Sequence, residues 1–168
     1  MTTQTLLEFR CPTWAELPNL SLYMDQVLIV IEDALRPVSD TEDALTATMV
    51  NNYVKMKLLP PSSRKKYGRA HLSALIMITL LKRVLSMSEL ALLLDCLYAR
   101  FEPHDAYDLF CTELERGIHA AVAGDSVKPS GAPPLLEAAV RCLSAKFLFE
   151  AAAESARSEA PYLPPDPQ

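Results

Sequence analysis

Apolar residues recur every three or four positions along most of the chain, the spacing of helices that each bury one face. Leu20, Tyr23, Met24, Val27, Ile31 and Ala34 predict a helix over residues 19–35, with Asn19 as its cap and Pro37 as its stop. Thr46 caps a second, short helix that runs to about Lys57, and Pro60-Pro61 ends it. A strongly apolar helix follows over about residues 69–84, holding Leu72, Leu75, Ile76, Ile78, Leu80 and Leu81. Ser86-Met-Ser-Glu89 has the spacing of a capping box and opens a helix with Leu90, Leu93, Leu94 and Leu97 on one face. Pro103 suits the first turn of a helix to about residue 122, whose stripe of Tyr107, Phe110, Leu114, Ile118 and Ala121 lies opposite a mostly acidic face. Last comes a helix over residues 135–157, roughly 35 Å long, with Leu136, Val140, Leu143, Phe147 and Ala151 on one stripe and Leu135, Cys142 and Phe149 nearby. So wide an apolar face needs a partner, either the domain itself or a second copy.

Between these elements the pattern breaks. Residues 1–18, with Trp14 and two prolines, read as an irregular segment, and the acidic SDTED stretch at 39–43 reads as a loop. SSRKKYG, residues 62–68, is too short and polar for a core helix and fits a small β-turn or hairpin. Residues 124–134 form a Gly- and Pro-rich linker, and residues 158–168 a disordered tail whose Pro-x-x-Pro spacing reads as an unstructured terminus. Four glycines in 168 residues argue against a sandwich, a barrel or a Gly-rich nucleotide-binding fold. The expected class is all-α, mainly helical, with one short β hairpin.

Charge changes this picture more than composition does. The net charge is −5, yet residues 45–88 hold Lys55, Lys57, Arg64, Lys65, Lys66, Arg69, Lys82 and Arg83 without any Asp or Glu. Residues 1–44 carry two cations against eight acids, and residues 89–168 six against thirteen. A charge run is usually a solvated face, but an acid-free stretch this long inside an acidic chain also has the footprint expected of a surface that meets polyanions.

Other chemistry is sparse. Cys11, Cys96, Cys111 and Cys142 form no Cys-x-x-Cys pair and read as reduced, buried thiols. His71 falls at a helix start, and His104, Cys111 and His119 share one helical side only approximately, so no metal site or other cofactor is expected. A phosphate-cradling glycine loop, a metalloprotease His pair and a nucleophile elbow are all lacking, which speaks against an enzyme. The N-terminus has no basic region leading into an apolar one, and no apolar run approaches about 20 residues, so a cytoplasmic protein without membrane contact is expected.

Helix, turn, helix and basic hairpin follow one another in the order of a winged helix-turn-helix. The residues from 45 to 94, about a third of the chain, resemble the head of MerR-type regulators, and the resemblance implies such a domain over residues 19–100. Thr46 stands where that family caps its recognition helix, Tyr53 where a tyrosine closes it, Leu58-Leu59-Pro60 where a Leu-Leu-Pro turn leads to the wing, and Tyr67 before the apolar helix. Lys57 replaces a glycine of that pattern, Thr48 and Asn51 replace arginines, and the wing is shortened to SSRKK. A broader resemblance, over about residues 8–120, is to a bacterial family of unknown function, DUF1836, through LPNLSLYMDQV, MVNNYVK, LLPP, KKYGRAHL and LLKRVLSMSEL.

The MerR resemblance implies a transcriptional regulator that binds double-stranded DNA through Thr48, Asn51, Asn52, Tyr53, Lys55, Lys57, Arg64, Lys65, Lys66, Tyr67 and Arg69. The amides of Asn51 and Asn52 suit an adenine edge, and the cations suit phosphates. Residues 101–123 then serve as a packing helix, and the C-terminal helices as the seat of a possible homodimer. The competing expectation is a non-catalytic module whose basic face docks on an acidic protein.

Overall fold

The computed structural model describes residues 1–39, 44–126 and 128–159; most of the acidic SDTED stretch, Val127 in the linker and the PYLPPDPQ tail lie outside them. Seven helices run through the described residues: α1 (Thr3–Glu8), α2 (Met24–Leu35), α3 (Ala47–Lys55), α4 (Arg69–Leu81), α5 (Met87–Tyr98), α6 (Pro103–Ala123) and α7 (Pro134–Glu159). The protein is thus mainly helical, and two isolated β-bridges, Leu22 with Tyr67 and Ser63 with Lys66, are its only described extended pairing. None of the described helices is long and apolar enough to cross a membrane.

The core is built around α4, which is apolar on every side. All its residues from Leu72 to Leu81 are buried, and a helix with no polar face must be surrounded. It packs on α2, α6 and α7. The two polar residues in that buried run are Ser73, whose hydroxyl donates to the Ala70 carbonyl, and Thr79.

The most extensive helix pair is α6 with α7. Tyr107, Phe110, Leu114 and Ile118 on α6 and Leu136, Val140, Leu143, Phe147 and Ala151 on α7 are buried, as their spacing requires. A side chain at Gly117 would stand 2.6 Å from the Ser144 hydroxyl and 2.8 Å from a Val140 methyl, so the pair approaches closely only because glycine is there. The acidic face expected opposite the α6 stripe is incomplete. Glu113 is buried and pairs with Arg116.

Three further details depart from the sequence pattern. Residues 1–18 carry α1, which Thr2 caps by accepting the Thr5 N–H; a six-residue helix burying only Leu6 leaves no readable period. It packs on α6 and α7. Helix α2 begins at Met24, not Asn19, because Leu22 exchanges two 2.9 Å backbone hydrogen bonds with Tyr67 and so stays extended. Tyr23 is then the cap residue, and its N–H is taken by the Gln26 side chain. Finally, the cysteines are not uniformly buried: Cys11 and Cys111 are, Cys96 is half-buried and Cys142 is exposed.

Capping elsewhere follows the sequence closely. Thr46 accepts the Met49 N–H at the start of α3. Ser86 and Glu89 bond reciprocally at the start of α5, Pro103 occupies the first turn of α6, and Gly124 ends α6 in the left-handed region at φ +71°.

Candidate nucleic-acid interface

Helix α3 divides its residues between core and solvent with a strict helical period. Val50 and Tyr53 are buried, while Thr48, Asn51, Asn52 and Lys55, at i, i+3, i+4 and i+7, are all exposed. Its outward face is therefore two amides, a hydroxyl and an ammonium, with no carboxylate. The Tyr53 ring belongs to the core side, where burial raises its phenol above the ordinary range. Its backbone carbonyl accepts the N–H groups of Leu58 (2.9 Å) and Leu59 (3.3 Å), tying the Leu-Leu-Pro turn to the end of α3.

Lys57 makes that turn. It adopts φ +61°, the left-handed conformation usually left to glycine just past a helix end. An L residue in that region costs about 1–2 kcal/mol. Leu58 and Leu59 then enter the core, and Lys57 stays exposed.

Residues 63–66 form a two-residue hairpin. Ser63 and Lys66 exchange backbone hydrogen bonds of 3.2 and 2.9 Å, and the two residues at the tip, Arg64 and Lys65, have φ of +51° and +61°. Positive φ at both central positions is the signature of a type I′ turn, which matches the twist of a hairpin but normally selects Asn and Gly. Here both positions are exposed cations. With Lys57, every described non-glycine residue at positive φ is a lysine or arginine of the acid-free segment.

The hairpin base is held by the Leu22–Tyr67 bridge, and both side chains are buried. Tyr67 therefore anchors the hairpin instead of offering its ring to solvent. That pairing also brings Tyr23 beside the hairpin, where Lys66 Nζ sits 5.2 Å from the centre of its half-exposed ring. Helical spacing alone places Tyr23 on the apolar face of its helix; the readable clue was the alternation of Ser21, Leu22 and Tyr23 just before α2, which suits an extended strand.

The eight cations of the acid-free segment separate into groups. Lys55, Lys57, Arg64, Lys65 and Lys66 are exposed, and none is ion-paired with a described residue. Arg69, half-buried, stacks 5.8 Å from the centre of the Trp14 ring. Arg83 is withdrawn altogether: its side chain keeps 6% exposure, bonds Glu150 at 2.6 Å and the Val38 carbonyl, and lies 5.0 Å from the Phe147 ring centre. Lys82 is half-buried at the end of α4.

The residues weighed for other chemistry do not converge. His71 Nδ1 accepts the Gly68 N–H and caps α4, with its ring edge-on to Tyr67 at 5.4 Å. His104 is exposed beside Trp14 and Asp105, and His119 lines an open cleft with Arg116 and Lys128. Cys111 is buried against Cys11, whose thiol is pushed up by the hydrogen bond between them and by burial. Among the described residues no group of three or more His, Cys, Asp or Glu side chains is placed to hold a metal ion.

The family model described as "Domain of unknown function (DUF1836)" matches residues 12–110, more than half of the chain. No curated protein and no solved structure matches it.

Proposed function

For this chain, which belongs to the DUF1836 family, we propose a function as a DNA-binding regulator that grips double-stranded DNA with α3 and the 63–66 hairpin. The observation that carries the proposal is the hairpin tip, where Arg64 and Lys65 are both held in left-handed backbone conformations that disfavour them. A strained position occupied by a cation, where asparagine or glycine would relax it, is a position kept for its charge. The order α2, α3, hairpin, α4 is that of a MerR-like winged helix-turn-helix, with α3 as recognition helix and the hairpin as a short wing. On this reading Asn51 and Asn52 contact base edges, Lys55, Lys57, Arg64, Lys65 and Lys66 contact phosphates, and Tyr53 and Tyr67 act by positioning these elements. No catalytic step is assigned. Thr48 completes the outward face of α3, and Arg69, stacked on Trp14 at the start of α4, is the remaining cation assigned to DNA. A cytoplasmic location belongs to the same proposal.

Fluorescence anisotropy with random and genomic duplexes at low and moderate salt tests it. If the five exposed cations each meet a phosphate, log K falls with log salt with a slope of about −4 to −5. Arg64→Glu with Lys65→Glu should abolish binding, and Asn51→Ala should relax sequence preference by about 1–3 kcal/mol while leaving non-specific affinity nearly intact. Absence of binding at low salt, or indifference to the hairpin charge reversal, rejects the proposal. Docking on an acidic protein is separated by the same duplex titration, because Asn51 has no base edge to read there.

A further inference from the structure

Helix α7 carries two apolar faces, and among the described residues only one is buried. Leu136, Val140, Leu143 and Phe147 are buried against the core. On the opposite side Leu135, Ala138, Cys142, Ala145, Phe149 and Ala152 alternate three and four apart over five turns, and every one is exposed. Leu135 is 39% exposed and Phe149 67%. No charged side chain interrupts that row. A strict 3-4 alternation is the seam of two paired helices, whereas a solvated helix face normally carries Glu, Lys or Gln.

We infer that this seam pairs with the same seam of a second copy, and that the two helices run antiparallel. Two independent complementarities fix the occupant and its direction. The first is size. In an antiparallel pair about a two-fold axis between residues 143 and 144, Leu135 lies opposite Ala152 of the second copy, Phe149 opposite Ala138, and Cys142 opposite Ala145. Each large side chain then meets an alanine, and the layers keep one interaxial spacing, within the usual 8–10 Å. A parallel pair sets Phe149 against Phe149 and Ala138 against Ala138, which demands two spacings in one seam. The second is charge. Arg141 and Lys146 flank the seam on its two sides. In a parallel pair, positions five residues apart face each other across the seam, so Arg141 meets Lys146 of the second copy, twice, at a cost. In the antiparallel pair Arg141 faces Leu148 and Lys146 faces Ala139, with no like-charge contact. Within its own chain Lys146 is already paired with Glu150 at 3.2 Å. The contact is isologous, as a closed dimer requires.

This pairing stands apart from the DNA reading, since neither the α3 face nor the hairpin takes part. The test uses the full chain. Sedimentation at about 100 μM, where even a weak self-association is populated, should give twice the chain mass, and Ala145→Glu should give the single-chain mass with unchanged helical circular dichroism and melting. Disulfide trapping reads the direction. In a Cys142→Ala background, Leu135→Cys combined with Ala152→Cys should cross-link two chains, because the two positions lie about 26 Å apart along one helix and cannot meet within a chain. Phe149→Cys alone should not cross-link. A single-chain mass at that concentration overturns the pairing, and trapping through position 149 instead of 135 with 152 overturns its direction. A monomer that still binds DNA removes the dimer and leaves the proposed function standing; a dimer that binds none does the reverse.

Discussion

Four cysteines that look alike in sequence have three different surroundings. Cys11 and Cys111 are buried against each other, and the Cys11 thiol is pushed up by the hydrogen bond it donates to Cys111 and by burial. Cys142 stands in solvent on α7. At neutral pH and a chain concentration low enough to leave the proposed α7 pairing dissociated, a thiol-reactive dye should therefore modify Cys142 first and Cys96 more slowly, with Cys11 and Cys111 reacting only after denaturation. Mass spectrometry of the labelled peptides checks the order. Rapid native labelling of Cys11 would contradict its placement. The same contrast applies to Tyr53 and Tyr67, which the resemblance assigns to a nucleic-acid face: each turns its ring inward.

At the scale of elements, the hairpin trades stability for charge. Replacing Arg64 by Asn and Lys65 by Gly gives the preferred type I′ pair and removes two left-handed L residues of ordinary cost. The variant should be more stable by about 1–2 kcal/mol in urea titration and bind DNA at least ten-fold more weakly, two effects of opposite sign that a merely structural turn would not produce. Helix α5 offers a pH test. Its Glu89 carboxylate accepts hydrogen bonds from the Ser86 hydroxyl and backbone, which hold it below the usual carboxylate range. Because the folded-state pKa is depressed, the contribution is fully present above the unfolded value near 4.5 and is lost as pH falls through the folded one. Glu89→Gln should accordingly flatten part of the loss of stability between pH 5 and pH 3, roughly the carboxylate range, measured by thermal melts.

Across the whole molecule, one cation ties together parts that are far apart in sequence. Arg83, at the end of α4, joins the Val38 carbonyl after α2 to Glu150 on α7 and stacks on Phe147. Arg83→Met keeps the packing volume but leaves Glu150 with only Lys146, at 3.2 Å. A loss of about 2–3 kcal/mol is expected, less than for a fully buried pair because Glu150 keeps 20% exposure. Chemical denaturation measures it, and Arg83→Met with Glu150→Leu together should recover part of the loss.

The helical class, the caps at Thr46 and Ser86 and the first-turn Pro103 were legible in the sequence, because each rests on contacts within four residues. So was the acid-free segment, since charge order along a chain survives folding. Three things were decided only by tertiary structure. Leu22 met Tyr67, 45 positions away, and that pairing moved the start of α2 and set Tyr23 beside Lys66. Packing against the core turned Tyr53 and Tyr67 inward and drew Arg83 away from the basic face, so the charge run is larger in the sequence than on the surface. Periodicity marked one wide apolar face on α7, but which of its residues packed on the core and which faced solvent was decided by packing, closest at Gly117. Local hydrogen bonds and charge order belong to the chain; the direction in which a face points belongs to whatever it packs against.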